Sequence, residues 1–178
     1  MNCCEVTRAA LGYSCVGFHK SAAFGDARLR VDLMHDIVGG GMEMLCWAKD
    51  MDCPWNKWRC ADIAAWGTIE MMIWARENGA QWDSDVFISA AIAGRLDIIC
   101  WAKENGCEWI DDIWYYAARN GRINILCWLK ENDYVDSKQV CDAAARGGHV
   151  DVLIWARENG YLWDARACMM AARGGHVD

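Results

Sequence analysis

Apolar and polar positions repeat along this chain with a period of 27 residues. Trp47, Trp74, Trp101, Trp128 and Trp155 mark one phase of the pattern, and Gly40, Gly67, Gly94, Gly121, Gly148 and Gly175 mark another. Residues 83–106 show what one period predicts. Asp83 offers a side-chain oxygen to the free N–H groups of a helix start; Asn56, Ser137 and Asp164 hold the same place, and Ile110 breaks it. Phe87, Ala90 and Ala91 then fall on one helical face, and the alanine pair lets a second helix approach closely. Gly94 ends the first helix, because glycine adopts the left-handed conformation without strain. The second helix is expected from about Arg95 to Asn105, where Leu96, Ile98, Ile99, Trp101 and Ala102 form an apolar stripe wide enough for neighbours on both flanks. Asn105-Gly106 closes it.

A unit this small cannot bury its own stripe, so successive units must stack into one continuous core. The pattern therefore predicts an all-α fold, a solenoid of helix-turn-helix repeats. Residues 39–178 hold about five such units, the last incomplete. Residues 1–38 read as a degenerate N-terminal capping repeat: Ala9-Ala10 keeps the register, but Tyr13 stands where the glycine belongs and Lys20 where the tryptophan belongs. The tryptophans form two ladders, the five named above and a second at Trp55, Trp82, Trp109 and Trp163, interrupted by Asp136. A tryptophan in phase with core Leu and Ile reads as a packing residue, and Trp101 is expected to be buried between units.

Composition narrows the function classes. The chain has 178 residues, 54% of them hydrophobic, and a formal net charge of −7. That charge argues against a nucleic-acid surface, which needs clustered cations. No apolar run approaches the ~18 residues of a membrane span, and the first residues lack a signal-peptide pattern, so a cytoplasmic location is expected. The eleven cysteines fall mostly in repeat slots that elsewhere hold Ile, Phe, Trp, Ala or Tyr. Cys46, Cys100 and Cys127 precede a ladder tryptophan; Cys60, Cys141 and Cys168 share one slot, and Cys53 and Cys107 another. Such slots ask for apolar volume, not for a ligand, and Cys3-Cys4 fits no zinc spacing. No P-loop, G-x-S-x-G or H-E-x-x-H motif occurs, so no catalytic residue, cofactor or metal site is expected. Glu70, Asp97 and Asp151 share a slot at the start of the second helix and read as charges on its positive end. His149 and His176 read as turn residues hydrogen-bonded to a neighbouring loop.

The runs Gly-His-Val-Asp-Val-Leu-Ile-Trp-Ala-Arg-Glu-Asn-Gly (148–160) and Gly-Arg-Leu-Asp-Ile-Ile-Cys-Trp-Ala-Lys-Glu-Asn-Gly (94–106) resemble the helix-turn-helix of ankyrin repeats. The likeness covers roughly residues 33–178. It departs from the usual repeat of about 33 residues by lacking about six in the joint near Trp82-Asp83 and Trp163-Asp164, so the projecting hairpin should be small or missing. The tryptophan-rich form is similar to ankyrin-like arrays of large DNA viruses of amoebae, which would imply work in host cytoplasm.

The resemblance implies a protein-protein interaction module that binds through a concave groove without catalysis. It places in that groove the residues after the alanine pair, which vary from Ala65-Trp66 through Ile92-Ala93, Arg119-Asn120 and Arg146-Gly147 to Arg173-Gly174. It adds Trp58, Asp85, Asp112, Gln139 and Arg166, with Ala61, Ile88, Tyr115, Asp142 and Met169 beside them. The partner-binding candidates are thus Trp58, Trp66, Asp85, Ile92, Asp112, Tyr115, Arg119 and Arg146, for a protein partner and not for nucleic acid or membrane. Two rival readings stand beside it: a structural or vestigial segment of a longer array, and a thiol-based metal or redox protein. The last unit stops at Gly174-Gly175-His176-Val177-Asp178, so its apolar face is expected to be uncovered and open to self-association.

Overall fold

The computed structural model describes residues 38–50, 60–80, 83–134 and 139–176. Trp55, Trp58, Trp82, Asn56, Ser137 and residues 1–37 lie outside these, as does the side chain of Trp47. The described residues form ten α-helices and no strand: α1 (Gly41–Asp50), α2 (Cys60–Trp66), α3 (Ile69–Glu77), α4 (Asp85–Ala93), α5 (Leu96–Glu104), α6 (Ile113–Arg119), α7 (Ile123–Glu131), α8 (Val140–Gly147), α9 (Val150–Glu158) and α10 (Ala165–Gly174). The fold of these residues is all-α, and none of their helices is long and apolar enough to cross a membrane.

Helices pair as the pattern requires. α2 packs on α3, α4 on α5, α6 on α7 and α8 on α9, each across a tight turn. Between periods the first helices make the most extensive contacts, α2 with α4, α4 with α6, α6 with α8 and α8 with α10. The alanine pairs explain why: Ala90, Ala91, Ala117, Ala118 and Ala144 are all fully buried, and side chains this short bring backbones close. Phe87, Ile98, Ile99, Ile125, Leu126 and Leu129 fill the core around them.

The turns repeat as well. Gly94 has φ 84°, and the N–H of Arg95 donates to the Ala90 carbonyl at 2.9 Å; Gly121, Gly148 and Gly175 close their helices in the same way. Gly67 departs from this. Its N–H donates to the Ile63 carbonyl at 2.7 Å, and Thr68 then caps α3 by accepting from the Met71 N–H at 3.3 Å. A threonine cap serves the donors of the next helix, so the left-handed residue is not needed there. At the helix starts, Asp83 accepts from the Asp85 N–H at 3.2 Å and Asp164 from the Arg166 N–H at 2.7 Å. At the far end of each second helix an asparagine amide (Asn78, Asn105, Asn132, Asn159) donates to the carbonyl of the ladder tryptophan four residues earlier.

The ladder tryptophans differ from expectation in one respect. Trp74, Trp101, Trp128 and Trp155 are half-buried, with the smaller Ile98, Ile99, Ile125 and Leu126 taking the sealed positions. A ring this large covers the core edge while keeping one side in water. That open side receives cations. Lys49 lies 5.8 Å from the Trp74 ring, one period on, and donates to the Asn78 side chain. Lys103 sits 4.0 Å from the Tyr134 ring, 5.1 Å from Trp109 and 5.3 Å from Trp128, and donates to the Tyr134 hydroxyl. Periods are therefore tied at their second helices by cation–aromatic contacts. Trp109 itself packs edge-on against Phe87 at 5.0 Å, so the second ladder is built into the core there, while Trp163 is 46% exposed.

Candidate interaction surface

Of the candidate residues, Trp66, Ile92, Arg119 and Arg146 stand in the C-terminal turns of first helices. Trp66, the last residue of α2, is 63% exposed. Ile92 near the end of α4 is 42% exposed, and its carbonyl accepts from Arg122 Nε at 3.0 Å. Arg119 and Arg146, in the last turns of α6 and α8, are exposed. Tyr115 is half-buried on α6, and its hydroxyl receives Arg119 Nη1 at 3.4 Å and Arg146 Nη1 at 3.5 Å. The fold thus brings Tyr115, Arg119 and Arg146 together across two helices. Asp85 and Asp112 stand at the opposite, N-terminal ends of α4 and α6, apart from that cluster. Trp58 lies outside the described residues.

Two ion pairs lie elsewhere on the described units. Arg166 meets Asp142 at 2.9 Å, and Arg95 meets Asp97 at 2.8 Å. The Arg95 fork holds the Asp97 carboxyl below its ordinary range, chiefly through the hydrogen bond. Asp97 is therefore bound to a side chain as well as placed at a helix start. Glu70 is also lowered, first by the Thr68 hydroxyl, and Asp151 accepts from the Val152 N–H at 2.9 Å.

Arg95, Arg122, His149 and His176 share one slot and reach back over the preceding period. Arg95 Nη1 donates to the Gly67 carbonyl at 2.6 Å. The His149 ring lies so close over Gly121 that a Cβ there would stand 2.7 Å from Nδ1, and His176 covers Gly148 likewise. The histidines thus meet the neighbouring turn by packing on bare glycine, where the sequence predicts a hydrogen bond. Sequence reasoning did not single out Arg122, although Arg95 in the same slot was a signal for it.

Of the described cysteines, Cys60, Cys107 and Cys141 are buried, Cys46, Cys100 and Cys127 half-buried and Cys168 exposed. Burial pushes Cys60 and Cys107 up to about 11 from 9.0, so both stay protonated at neutral pH and are poor nucleophiles. Among the described residues no group of three or more His, Cys, Asp or Glu could hold a metal ion. The sequence matches no family model and no curated protein.

Proposed function

We propose that the chain is a short solenoid of ankyrin-like helix-turn-helix units that binds a protein partner through the face formed by its first-helix ends, without catalysis, in the cytoplasm. The observation that carries this reading is the division of labour within the 27-residue period. Positions facing the core hold apolar residues, whereas exposed positions near the first-helix ends change from Trp66 and Ile92 to Arg119 and Arg146 along the chain. Aromatic and arginine side chains on a rigid helical face are the residue types that anchor protein partners. The test is capture of partners from lysate by the immobilised chain and by its Trp66→Ala, Tyr115→Ala, Arg119→Ala, Arg146→Ala variant. Loss of capture with helicity and melting little changed supports the reading, since surface substitutions seldom alter stability. Undiminished capture removes this face from consideration.

A second reading, association with another copy, is favoured by the last unit. Cys168 is exposed where its equivalents Phe87, Trp114 and Cys141 are buried, and Leu162 (85%), Val150 (61%) and Met169 (45%) join it. Exposed apolar side chains of this size can mark contact surfaces. Sedimentation across a concentration series tests it: a mass that rises with concentration, and stays monomeric in Leu162→Glu, supports association, whereas a constant monomer mass refutes it.

A further inference from the structure

The row of first-helix ends changes character along its length, and that gradient specifies a partner chemistry. Trp66 and Ile92 make one end apolar. Arg119, Arg146 and Arg173, all exposed, make the other end cationic. Between them Tyr115 gathers Arg119 and Arg146 onto one phenol oxygen, at 3.4 and 3.5 Å. That oxygen is uncharged, so it aligns the two guanidiniums without neutralising either, and among the described residues neither has a carboxylate partner. Asp142, on the adjoining strip, is taken by Arg166 at 2.9 Å. Arg122 adds to the excess: Asp97 neutralises the equivalent Arg95, but Asn124 occupies the place of Asp97 in the next period. The helix dipole favours a cation at each helix C-terminus. It gives no reason for cations of α6 and α8 to converge on one oxygen, closer than a Debye length of ~8 Å at physiological salt.

We infer that this row is the docking track of an extended acidic protein segment. Its carboxylates pair with Arg119, Arg146 and Arg173, and its apolar end lies against Trp66 and Ile92. The inference rests on the reading that this face binds protein, and it names the class of partner. The register follows from geometry: packed helices stand ~8–10 Å apart, and an extended chain in the polyproline II conformation advances ~3.1 Å per residue with about three residues per turn, so that every third side chain shares a face. Acidic side chains at every third position therefore match successive arginines. A nucleic acid would meet the same arginines, but its uniform backbone charge would continue past them over the apolar Trp66 and Ile92, on a chain of net charge −7. A short acidic stretch with an apolar end fits both halves of the row.

The test uses fluorescence anisotropy with a labelled synthetic peptide of two leucines followed by Glu-Gly-Gly triplets. The same peptide with Gln for Glu and a single-stranded RNA oligomer are the comparison probes. The acidic peptide should bind the intact chain, at least tenfold more tightly than the Gln peptide, and should weaken at least tenfold on Arg119→Ala/Arg146→Ala, as loss of charged hydrogen bonds dictates. No binding of the acidic peptide, equal affinity for the double variant, or tighter binding of RNA overturns the inference. Lysate capture separates the two levels. If capture survives Arg119→Ala/Arg146→Ala but is lost in Trp66→Ala/Ile92→Ala, this inference fails while the broader reading stands.

Discussion

Gly147, the last residue of α8, is where the approach of neighbouring periods is tightest. A Cβ there would lie 2.1 Å from the carbonyl oxygen of Arg119 on α6, a backbone atom that cannot rotate aside. Gly147→Ala must therefore push α8 away from α6 and loosen a seam lined by the buried Ala117, Ala118 and Ala144. A gap of ~0.5–1 Å forfeits a quarter to a half of the dispersion attraction across it, and strain of this kind costs about 1–3 kcal/mol. Alanine's helical preference over glycine returns at most ~1 kcal/mol, so the clash decides the sign. The preceding period shows how the same place accepts a side chain. There Asn120 stands in the position of Gly147, and Arg122 Nε donates at 3.0 Å to the Ile92 carbonyl, the equivalent of Arg119's. Gly147→Asn should thus destabilise on its own, and His149→Arg should recover part of the loss, with a coupling of ~0.5–3 kcal/mol. Urea unfolding with unchanged slope is the assay. Gly39→Ala, where a Cβ meets none of the described residues within 4 Å, is the clash-free control. A Gly147→Ala protein as stable as the parent would show that α6 and α8 do not approach this closely.

Two further outcomes follow from burial. Ile99→Ala, at a fully sealed position, should cost about 2–5 kcal/mol in urea unfolding, whereas Trp101→Ala, half-buried at the core edge, should fall below the ~3–5 kcal/mol of a fully buried aromatic; the reverse order would refute the assignment of sealed and edge positions. Because Cys60 and Cys107 are raised from 9.0 to about 11 on folding, the folded chain holds their protons more tightly than the unfolded one. Their contribution is complete below pH ~9 and is lost as pH rises toward 11. Melting of Cys60→Ala/Cys107→Ala against the parent should therefore show a smaller loss across that window, and an identical alkaline decline would contradict the burial.

The helices were legible in the sequence because their signals are local. The period places Leu96–Glu104 within a residue or two of the expected second helix, and Gly94 and Asp164 terminate and start helices as their chemistry dictates. What escaped depends on contacts between periods. Gly67 is the exception, a local signal passed over: Thr68 follows it where Arg95 follows Gly94, and the threonine takes over the cap. The half-burial of Trp101 reflects competition with Ile98 and Ile99 for sealed space, which periodicity alone does not rank. At the candidate face the sequence named Tyr115, Arg119 and Arg146 separately. Their meeting at one hydroxyl needs the spacing of α6 and α8, and the role of Arg122 needs the carbonyl of Ile92 across a turn.

The central claim, that 27-residue units stack in a row, is tested most directly by distances between exposed positions one, two and three periods apart. Glu77, Glu104, Glu131 and Glu158 are all exposed at the ends of α3, α5, α7 and α9. Spin labels carried there on unnatural amino acids, so that the native cysteines stay in place, allow pulsed electron–electron measurements from position 77 to each of the others. A stacked row predicts distances that grow with every unit, by roughly 8–10 Å per period. A distance from 77 to 158 no longer than that from 77 to 104 would mean that the helices fold back into a closed bundle, and the account would be wrong.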